Sequence, residues 1–352
     1  MDKKKIAIIF GGRSSEHEVS CISVMTIIRA LNKEKYDMIL IGITKDGHWR
    51  LVESPEAIQD GSWRMGKTEA VISPDTSGEL LITAEDGTVS REKLDVIFPV
   101  LHGKYGEDGT IQGLFEMSGI PYVGCGVIAS SLGMDKFYTK LVVDMLGIRQ
   151  AKYEPVIKRQ LEDMDKVVAR VEKALPYPVF VKPSNAGSSM GVSKAVDRDS
   201  LIKALHEAAR HDFKILVEEA IVGREIECAV LGWGKKSEAS GVGEILSAAD
   251  FYDYDAKYNN ADSKTVIDPD IDPAVRKEIR KDAVKIFKVL DGFGLARVDF
   301  FVEKKTGEVV FNEINTLPGF TSISMYPMLW KACGVGEAEL VDRLIEMAEE
   351  RP

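Results

Sequence analysis

The chain has 352 residues, of which 45% are hydrophobic and 29% charged, and its net charge at pH 7 is -10. The length exceeds what one hydrophobic core usually supports, so we expect two or three globular domains. The negative charge argues against a nucleic-acid or membrane-surface partner, and no apolar stretch approaches a membrane span or a signal-peptide core. We therefore expect a cytoplasmic protein.

The N-terminal segment begins with an apolar run, Ile6–Phe10, which predicts a β-strand. Similar runs at residues 38–43 and 94–100 predict two further strands, and helical sequence separates them. This alternation is typical of a parallel, Rossmann-like sheet with its working loops at the strand ends. The last strand of this unit is expected near Val123, which places a domain boundary at residue 124.

Two loops of this segment, residues 11–18 and 102–110, are rich in polar side chains. The first lacks the GxGxxG pattern, which argues against a nucleotide-dependent oxidoreductase. A helix cap supplied by Ser14 or Ser15 explains its composition as well as a binding loop does.

The middle segment contains a predicted strand, residues 178–183, followed by a loop of small residues at 184–191. Glycine and serine let backbone N–H groups approach an anion closely, but they also serve ordinary turns. Lys182 ends the strand and is a candidate phosphate ligand, although lysine often only extends along a sheet edge.

The third segment opens with a predicted strand, turn and strand over residues 214–231. A polar, aromatic stretch follows, and we interpret residues 248–268 as a lid that packs when closed. A helix is expected from Pro273, because proline suits the first helical turn.

A hairpin turning near Thr306 ends this segment. With Thr306 as midpoint, Asp299 lies opposite Glu313 and Arg297 opposite Asn315, so that all four side chains share one face. A solvated, mixed-charge face is the ordinary interpretation.

Partial burial of that face is also predicted, since Phe301, Val309 and Phe311 fall on it by the same count. Buried carboxylates need a cation or a hydrogen-bonded partner. The oxygen donors of Asp299, Glu313 and Asn315 suit Mg²⁺.

The four cysteines lie far apart in the sequence and form no CxxC pair. We expect buried free thiols rather than a zinc site or disulfides. They are Cys21, Cys125, Cys228 and Cys333.

Six motifs in chain order together resemble the D-alanine:D-alanine ligases of the ATP-grasp superfamily over essentially the whole length. They are Gly11–Ser20 (GGRSSEHEVS), His102–Gly113 (HGKYGEDGTIQG), Met134–Lys136, Lys182–Gly191 (KPSNAGSSMG), Asp255–Tyr258 and Asn312–Ser322 (NEINTLPGFTS).

The resemblance implies an α/β fold, α+β in parts, with three domains. Residues 1–124 would form the Rossmann-like substrate domain, 125–222 the central ATP-grasp subdomain with the phosphate loop, and 223–352 the C-terminal subdomain with the metal site and the lid. ATP would lie between the central and C-terminal sheets. The implied reaction phosphorylates one D-alanine with ATP, after which the amine of a second D-alanine attacks the acyl phosphate through a tetrahedral intermediate, for peptidoglycan precursor synthesis.

Site residues follow from the matching positions. The implied catalytic residues are Glu16, Ser188, Lys257, Tyr258, Arg297 and Gly319. The implied substrate ligands are Glu16, His102, Ser324 and Met325. The implied ATP ligands are Lys136, Lys182, Ser188, Ser189, Glu218, Glu219, Ile221, Glu225 and Lys257. Asp299, Glu313 and Asn315 would bind two Mg²⁺ ions, for which Mn²⁺ can substitute.

Substrate choice rests on fewer residues. The Lys257-Tyr258 pair argues against D-lactate as second substrate, and Met325 beside Ser324 favours D-alanine over D-serine because it is apolar. Ile323 stands where many relatives have histidine, so the usual role of that histidine is not carried over. A D-alanine:D-serine ligase and a non-catalytic ATP-grasp nucleotide-binding protein are the alternatives, and a homodimer is the family expectation.

Overall fold

The computed structural model describes residues 3–188, 190–246 and 264–351. Its strands form three sheets. The first has the order β6-β5-β4-β3-β2-β1-β7. These strands are β1 (Lys4–Gly11), β2 (Tyr36–Ile43), β3 (Trp49–Val52), β4 (Glu69–Ile72), β5 (Glu79–Thr83), β6 (Val89–Lys93) and β7 (Val96–Val100).

The three strands predicted for the N-terminal sheet are β1, β2 and β7, and they pair in parallel as expected. The prediction omitted β3 to β6, which extend the sheet in antiparallel fashion. The connections at residues 73–78 and 84–88 are turns, too short for the crossover that parallel strands require.

Three helices accompany this sheet: α1 (His17–Ala30), α2 (Pro55–Asp60) and α3 (Thr110–Ser118). Helix α4 (Val127–Met134) follows and packs against α3. Helix α1 packs on β1, where Ile8 and Phe10 meet Val24 and Ile27 in one buried cluster. Strand β1 is buried on both faces, which explains its uninterrupted apolar sequence.

The second sheet has the order β10-β9-β11-β8 and is wholly antiparallel. It comprises β8 (Tyr153–Ile157), β9 (Val179–Pro183), β10 (Ser193–Ala195) and β11 (Lys214–Glu219), with α5 (Lys136–Asp144), α6 (Met164–Ala174) and α7 (Arg198–His211). Helix α7 begins where the Asp197 carboxylate accepts a hydrogen bond from the Ser200 amide at 2.8 Å. It buries Leu201 and Leu205, one turn apart, against the sheet.

The third sheet has the order β14-β13-β12-β15-β16. It comprises β12 (Gly223–Trp233), β13 (Glu238–Leu246), β14 (Lys264–Ile267), β15 (Phe293–Glu303) and β16 (Val309–Asn315), with α8 (Pro273–Val289), α9 (Met325–Ala332) and α10 (Glu337–Glu349). The helix predicted from Pro273 is confirmed. Short 3-10 helices cover Ser62–Met65, Lys158–Asp163 and Gly234–Lys236.

The predicted register of the last hairpin is confirmed, since Arg297 pairs with Asn315 and Asp299 with Glu313. A bulge follows, because the next pair is Phe300 with Phe311. Asn312 is therefore the extra residue, and the face that β16 presents changes there.

The bulge overturns one expectation. Val309 and Phe311 do not share the face of the acidic residues; they lie in a buried cluster with Phe300. The acidic face is nonetheless partly buried, since Arg297 and Asp299 are buried and Glu313 and Asn315 are half-buried.

Cys21, Cys125 and Cys228 are buried free thiols, as expected, whereas Cys333 is exposed, which is a correction. Cys333 lies at the end of α9, where its backbone amide donates to Leu329 and Trp330 in the last turn. Among the described residues, no helix is long and apolar enough to cross a membrane.

Candidate functional site

The charged face of the third sheet is organised around Arg297. Its Nε donates to Asp299 Oδ1 at 2.8 Å, and its Nη2 donates to Asp299 Oδ2 at 2.7 Å. The Asn315 amide also donates to Asp299 Oδ2, at 3.0 Å. Arg297 is 9% exposed and Asp299 3% exposed, so this pair lies inside the protein rather than on a solvated face.

Glu227 is a second carboxylate beside Arg297. It lies on β12, opposite Asp299 in the strand register, and its Oε2 is 3.1 Å from Arg297 Nε. Burial alone would lower the pKa of Arg297, but the charges of Asp299 and Glu227 raise it well above its usual value. The guanidinium therefore stays charged despite its burial.

Lys136 joins this face from the start of α5. Its Nζ donates to the Ala186 carbonyl at 2.9 Å and lies 3.4 Å from Glu313 Oε2. Asp135 caps the same helix and accepts a hydrogen bond from Ser184 Oγ at 2.7 Å. The cap thus holds Lys136 between the small-residue loop and the acidic hairpin.

A buried ion cluster lies on the second sheet. The Glu218 carboxylate pairs with Lys182 and with Lys140, whose Nζ is 2.9 Å from Glu218 Oε1. Burial would raise the pKa of Glu218, but the charges of Lys140 and Lys182 lower it overall. Burial lowers the pKa of Lys140, and Glu218 offsets this in part.

The small-residue loop contacts the N-terminal segment. Ser188 Oγ donates to Glu16 Oε1 at 2.5 Å. Ser188 has a φ of 49°, which is unusual for a residue with a Cβ and occurs most often at functional sites. Gly187 lies so close that an added Cβ would stand 2.9 Å from Glu16 Oε2. Ser189 lies outside the described residues.

His102 and Glu107 connect the second polar loop to the third sheet. His102 Nδ1 is 3.0 Å from the Leu317 carbonyl, and its Nε2 is 3.2 Å from Ser23 Oγ. Glu107 accepts hydrogen bonds from the amides of Gly103 and Leu317. These contacts fix the loop that follows β16 against the N-terminal segment.

That following loop carries Gly319 and Ser324. Ser324 Oγ accepts a hydrogen bond from the Thr321 amide at 2.9 Å. A Cβ added to Gly319 would lie 2.8 Å from the same Ser324 Oγ. Met325, at 2% exposure, begins α9 and packs on Gly243. Ile323 is exposed.

One pocket collects many of the predicted residues. Its lining includes Glu16, His102, Arg297, Asn315, Gly319, Ser324 and Met325. The other described site residues are not part of its lining. They are Lys136, Lys182, Ser188, Glu218, Glu219, Ile221, Glu225, Asp299 and Glu313. Lys257, Tyr258 and most of the proposed lid lie outside the described residues.

Sequence reasoning did not single out Glu107, Glu227 or Lys140. Glu107 stands within a quoted motif, so a signal was present. Glu227 could have been found from the period of two along its strand, but its pairing with β15 could not be read from the sequence. Lys140 is one helical turn after Lys136, a spacing that gave no sign of a buried ion pair.

The donor set of the hairpin fits Mg²⁺. Asp299, Glu313 and Asn315 supply carboxylate and amide oxygens, the hard donors that Mg²⁺ selects. The hydrogen bond from Asn315 to Asp299 also orients its amide group.

A different group of side chains, those of His17, Glu18 and Cys21, has ligand atoms within 4.8 Å of one another. Lys45 and Arg64 already pair with Glu18, at 2.9 and 3.0 Å. Burial raises the pKa of the Cys21 thiol to about 11. This second group is therefore poorly suited to a cation.

Comparison with known proteins gives a consistent result. Residues 5–125 match the family described as D-ala D-ala ligase N-terminus, and residues 142–346 match D-ala D-ala ligase C-terminus. A D-alanine–D-alanine ligase of Ruminiclostridium cellulolyticum is 52% identical over 100% of this chain and 96% of its own length. One from Acetivibrio thermocellus is 51% identical over 99% of this chain and 97% of its own length.

Solved structures agree. The VanG D-Ala:D-Ser ligase of Enterococcus faecalis superposes with a TM-score of 0.89 at 40% identity, covering 99% of this chain and 100% of that one. The D-alanine-D-alanine ligase of Coxiella burnetii gives 0.84 at 34% identity, covering 100% and 95%.

Proposed function

The chain belongs to the D-alanine–D-alanine ligase family, and from this premise we propose that it joins two D-alanines to D-alanyl-D-alanine at the expense of ATP. ADP and phosphate are the other products, and the dipeptide serves peptidoglycan precursor synthesis. The observation that carries the proposal is the pocket in which Arg297 and Glu16 converge with Ser324. One side of this pocket offers a carboxylate for an ammonium group, and the other offers donors for carboxylates.

Glu16 is proposed to bind the ammonium group of the first D-alanine. Ser188 holds the Glu16 carboxylate in place, and His102 lies on the same side of the pocket. Because the Glu16 carboxylate is held next to the phosphate loop, it would orient the bound D-alanine so that the substrate carboxylate faces the γ-phosphate of ATP. The reaction between D-alanine and ATP would then start from two oriented, neighbouring groups.

Lys136 and Lys182 are proposed to bind the phosphates of ATP. Both lysines are near the small-residue loop, whose backbone amides can add further donors. Glu218, Glu219, Ile221 and Glu225 form the end of β11, the turn and the start of β12, where the adenosine would lie. Lys182 pairs with Glu218, so its Nζ would exchange one anionic partner for another on binding an ATP phosphate.

The proposed metal ligands, Asp299, Glu313 and Asn315, would hold two Mg²⁺ ions. Mn²⁺ could take the place of Mg²⁺. Bound there, the metal supplies charge neutralisation of the phosphate oxygens during transfer. Lys136 beside Glu313 brings the ATP phosphates to the same point.

The second D-alanine is proposed to bind between Ser324 and Arg297. Its carboxylate accepts a hydrogen bond from the Ser324 hydroxyl, and its amine attacks the acyl phosphate formed from the first D-alanine. The negative charge on the tetrahedral intermediate meets the Arg297 guanidinium and the Gly319 amide, and preorganised donors of this kind are each worth about 3 to 4 kcal/mol. Expulsion of phosphate then completes the peptide bond.

Lys257 and Tyr258 are proposed to close over the site, Lys257 toward the transferring phosphoryl group and Tyr258 toward Ser188 and Glu16. An acyl phosphate exposed to bulk water would be hydrolysed, so closure protects it.

The domain division at residues 124 and 222 is a proposal supported by the three sheets, each of which falls largely within one of the three ranges. A homodimer and action in the cytoplasm, where ATP is available, are proposed as well.

D-serine is the second candidate for the attacking substrate, because the Enterococcus faecalis relative is a D-Ala:D-Ser ligase with 40% identity. Met325 supports D-alanine, since its buried thioether gives a serine hydroxyl no strong partner. Apolar pockets reject an added hydroxyl only by about a hundredfold, so D-serine would remain a poor substrate rather than a forbidden one.

The test is phosphate release and dipeptide formation with ATP, Mg²⁺ and D-alanine, with D-serine, D-lactate and L-alanine as competitors. D-alanyl-D-alanine formed in step with ADP is the expected result. Preferential D-alanyl-D-serine would overturn the substrate but keep the reaction. ATP binding without any product would support the non-catalytic alternative.

A further inference from the structure

The Asp299 carboxylate is committed to more than one partner. Its two oxygens accept three hydrogen bonds, two from Arg297 and one from Asn315. A carboxylate offers about four lone-pair sites, so little of this group is left for a metal ion. If Asp299 is to bind Mg²⁺, the two-pronged contact with Arg297 must loosen.

Arg297 cannot lose Asp299 without a substitute partner. It is buried, and a buried guanidinium without a carboxylate is strongly unfavourable. Its position also matters, because Arg297 is proposed to stabilise the tetrahedral intermediate and a misplaced guanidinium would not do so.

Glu227 is placed to supply that partner. Its Oε2 is 3.1 Å from Arg297 Nε, so Glu227 already contacts the guanidinium while the two parallel hydrogen bonds of Arg297 go to Asp299. Glu227 is 5% exposed and lies directly opposite Asp299 on the neighbouring strand. A small rotation of the Arg297 guanidinium would therefore exchange its contact with Asp299 for one with Glu227.

We propose that Glu227 is a positioning residue that takes over Arg297 when metal-bound ATP takes Asp299. The inference rests on the proposed function and deepens it. Glu227 thereby controls two properties at once: how readily Asp299 becomes available to the metal, and where the guanidinium points afterwards.

The test compares Glu227→Gln and Glu227→Asp with the control Glu244→Gln. Glu244 is buried on the adjacent strand β13 and pairs with Arg224 through both carboxylate oxygens, so it matches the chemistry without touching the site. The binding readout is Mn²⁺ titration followed by electron paramagnetic resonance in the presence of a non-hydrolysable ATP analogue, and it requires no turnover.

Glu227→Gln is expected to weaken Mn²⁺ binding by about tenfold, the range seen when a partner of a metal ligand is removed. Glu227→Asp keeps the negative charge, but its side chain is one methylene shorter, so the carboxylate lies farther from Arg297. It is expected to bind Mn²⁺ nearly normally yet to lose about tenfold or more in kcat at saturating metal, because the guanidinium is misplaced. Glu244→Gln is expected to change neither quantity.

Unchanged Mn²⁺ binding in Glu227→Gln would overturn the proposal, as would full turnover in Glu227→Asp. Thermal unfolding of each variant identifies a folding defect, and Glu227→Asp then provides the second measurement. If the wild-type chain binds Mn²⁺ and nucleotide but makes no dipeptide, the proposed function fails while the binding comparison still decides the role of Glu227.

Discussion

Ser188 Oγ donates a hydrogen bond to Glu16 Oε1 at a distance of 2.5 Å, although the two residues are 172 positions apart in the chain. The bond joins Glu16, the residue immediately before α1, to the loop after β9. The acid proposed for the ammonium of the first substrate and the loop proposed for the ATP phosphates are therefore mechanically linked. Binding at one position is expected to affect order at the other.

Ser188→Ala is expected to reduce kcat/KM for the first D-alanine by about ten- to a hundredfold, because hydrogen bonds to charged groups are worth about 1.5 to 3 kcal/mol. Without the hydroxyl, the Glu16 carboxylate is less firmly oriented. Steady-state kinetics at varied D-alanine and at varied ATP would separate the two substrates.

Ser193→Ala is the matched control, since Ser193 lies on β10 in the same sheet and is not part of the proposed site. It should behave like the wild type. Equal kinetics for both variants would show that the link to Glu16 has no role in substrate binding.

The sequence predicted the parts of this site that follow local rules. Asp299 lies opposite Glu313 as predicted, but two deviations combine to put it there. The pairs nearest the turn, such as Phe300 with Phe311, place the midpoint between Lys305 and Thr306 rather than at Thr306, and the bulge at Asn312 then shifts the register by one residue. The bulge at Asn312 was not predictable, since no local residue preference requires it. Consequently the positions of Val309 and Phe311 were wrong.

Contacts between distant segments were beyond sequence reasoning. The Leu317 amide reaches Glu107, 210 residues earlier, and the pairing of Glu227 with Arg297 depends on which strand lies beside β15. Strand order is decided by how whole layers pack, not by a local pattern. The family motifs indicated which residues matter, but they did not give these partners.

Arg297→Lys is expected to lower kcat by about a hundred- to a thousandfold, in line with the loss of a preorganised donor. Lysine keeps the charge, but it cannot make the two parallel hydrogen bonds that Arg297 makes with Asp299. Steady-state turnover together with ATP affinity would check this, and ATP affinity should change much less than kcat.

Arg297→Ala should add a stability loss of about 3 to 5 kcal/mol, because Asp299 and Glu227 become buried carboxylates without their cation. Mg²⁺ with ATP should recover part of it by binding only the folded state. Arg224→Lys, at the Glu244 pair on the same sheet, is the control for turnover. Near-normal turnover in Arg297→Lys would remove Arg297 from the transition-state role.

The Glu218 cluster predicts a specific response to pH. Lys140 and Lys182 hold the pKa of Glu218 below its usual value of 4.5 despite its burial. Because the pKa of Glu218 is lower in the folded state than in the unfolded state, its ionised carboxylate stabilises the fold above pH 4.5. This stabilisation is lost as the pH falls from 4.5 through the folded-state pKa. Removing one lysine should raise the pKa of Glu218, which makes this contribution smaller and completes its loss at a higher pH.

Lys140→Met is therefore expected to lower the free energy of unfolding at neutral pH by about 3 to 5 kcal/mol, the range for breaking a buried ion pair. The part of the acid-induced decline that comes from Glu218 should also be smaller than in the wild type and complete at a higher pH. Urea unfolding at a series of pH values measures both. Lys236→Met, which breaks an exposed pair with Glu350, should have a small effect; an equally small effect of Lys140→Met would show that the buried cluster does not stabilise the fold.

Met325 provides the last prediction, which concerns the choice of the second substrate. Its side chain lines the pocket next to Ser324 and packs so closely on Gly243 that an added Cβ there would stand 2.2 Å from its sulfur. Met325→Ala should open space beside the substrate methyl group and admit water near a serine hydroxyl. The ratio of kcat/KM for D-serine to that for D-alanine should then rise by about tenfold.

Truncating a buried methionine also costs about 2 to 5 kcal/mol of stability, so selectivity must be measured under conditions where the variant is folded. Met325→Leu nearly conserves volume and should retain both stability and selectivity, which separates the loss of packing from the loss of sulfur. Met145→Ala, at a methionine that is 82% exposed, controls for the substitution itself. A constant selectivity ratio in Met325→Ala would mean that Met325 supports α9 without shaping the pocket, and the preference for D-alanine would then have to come from another part of the site.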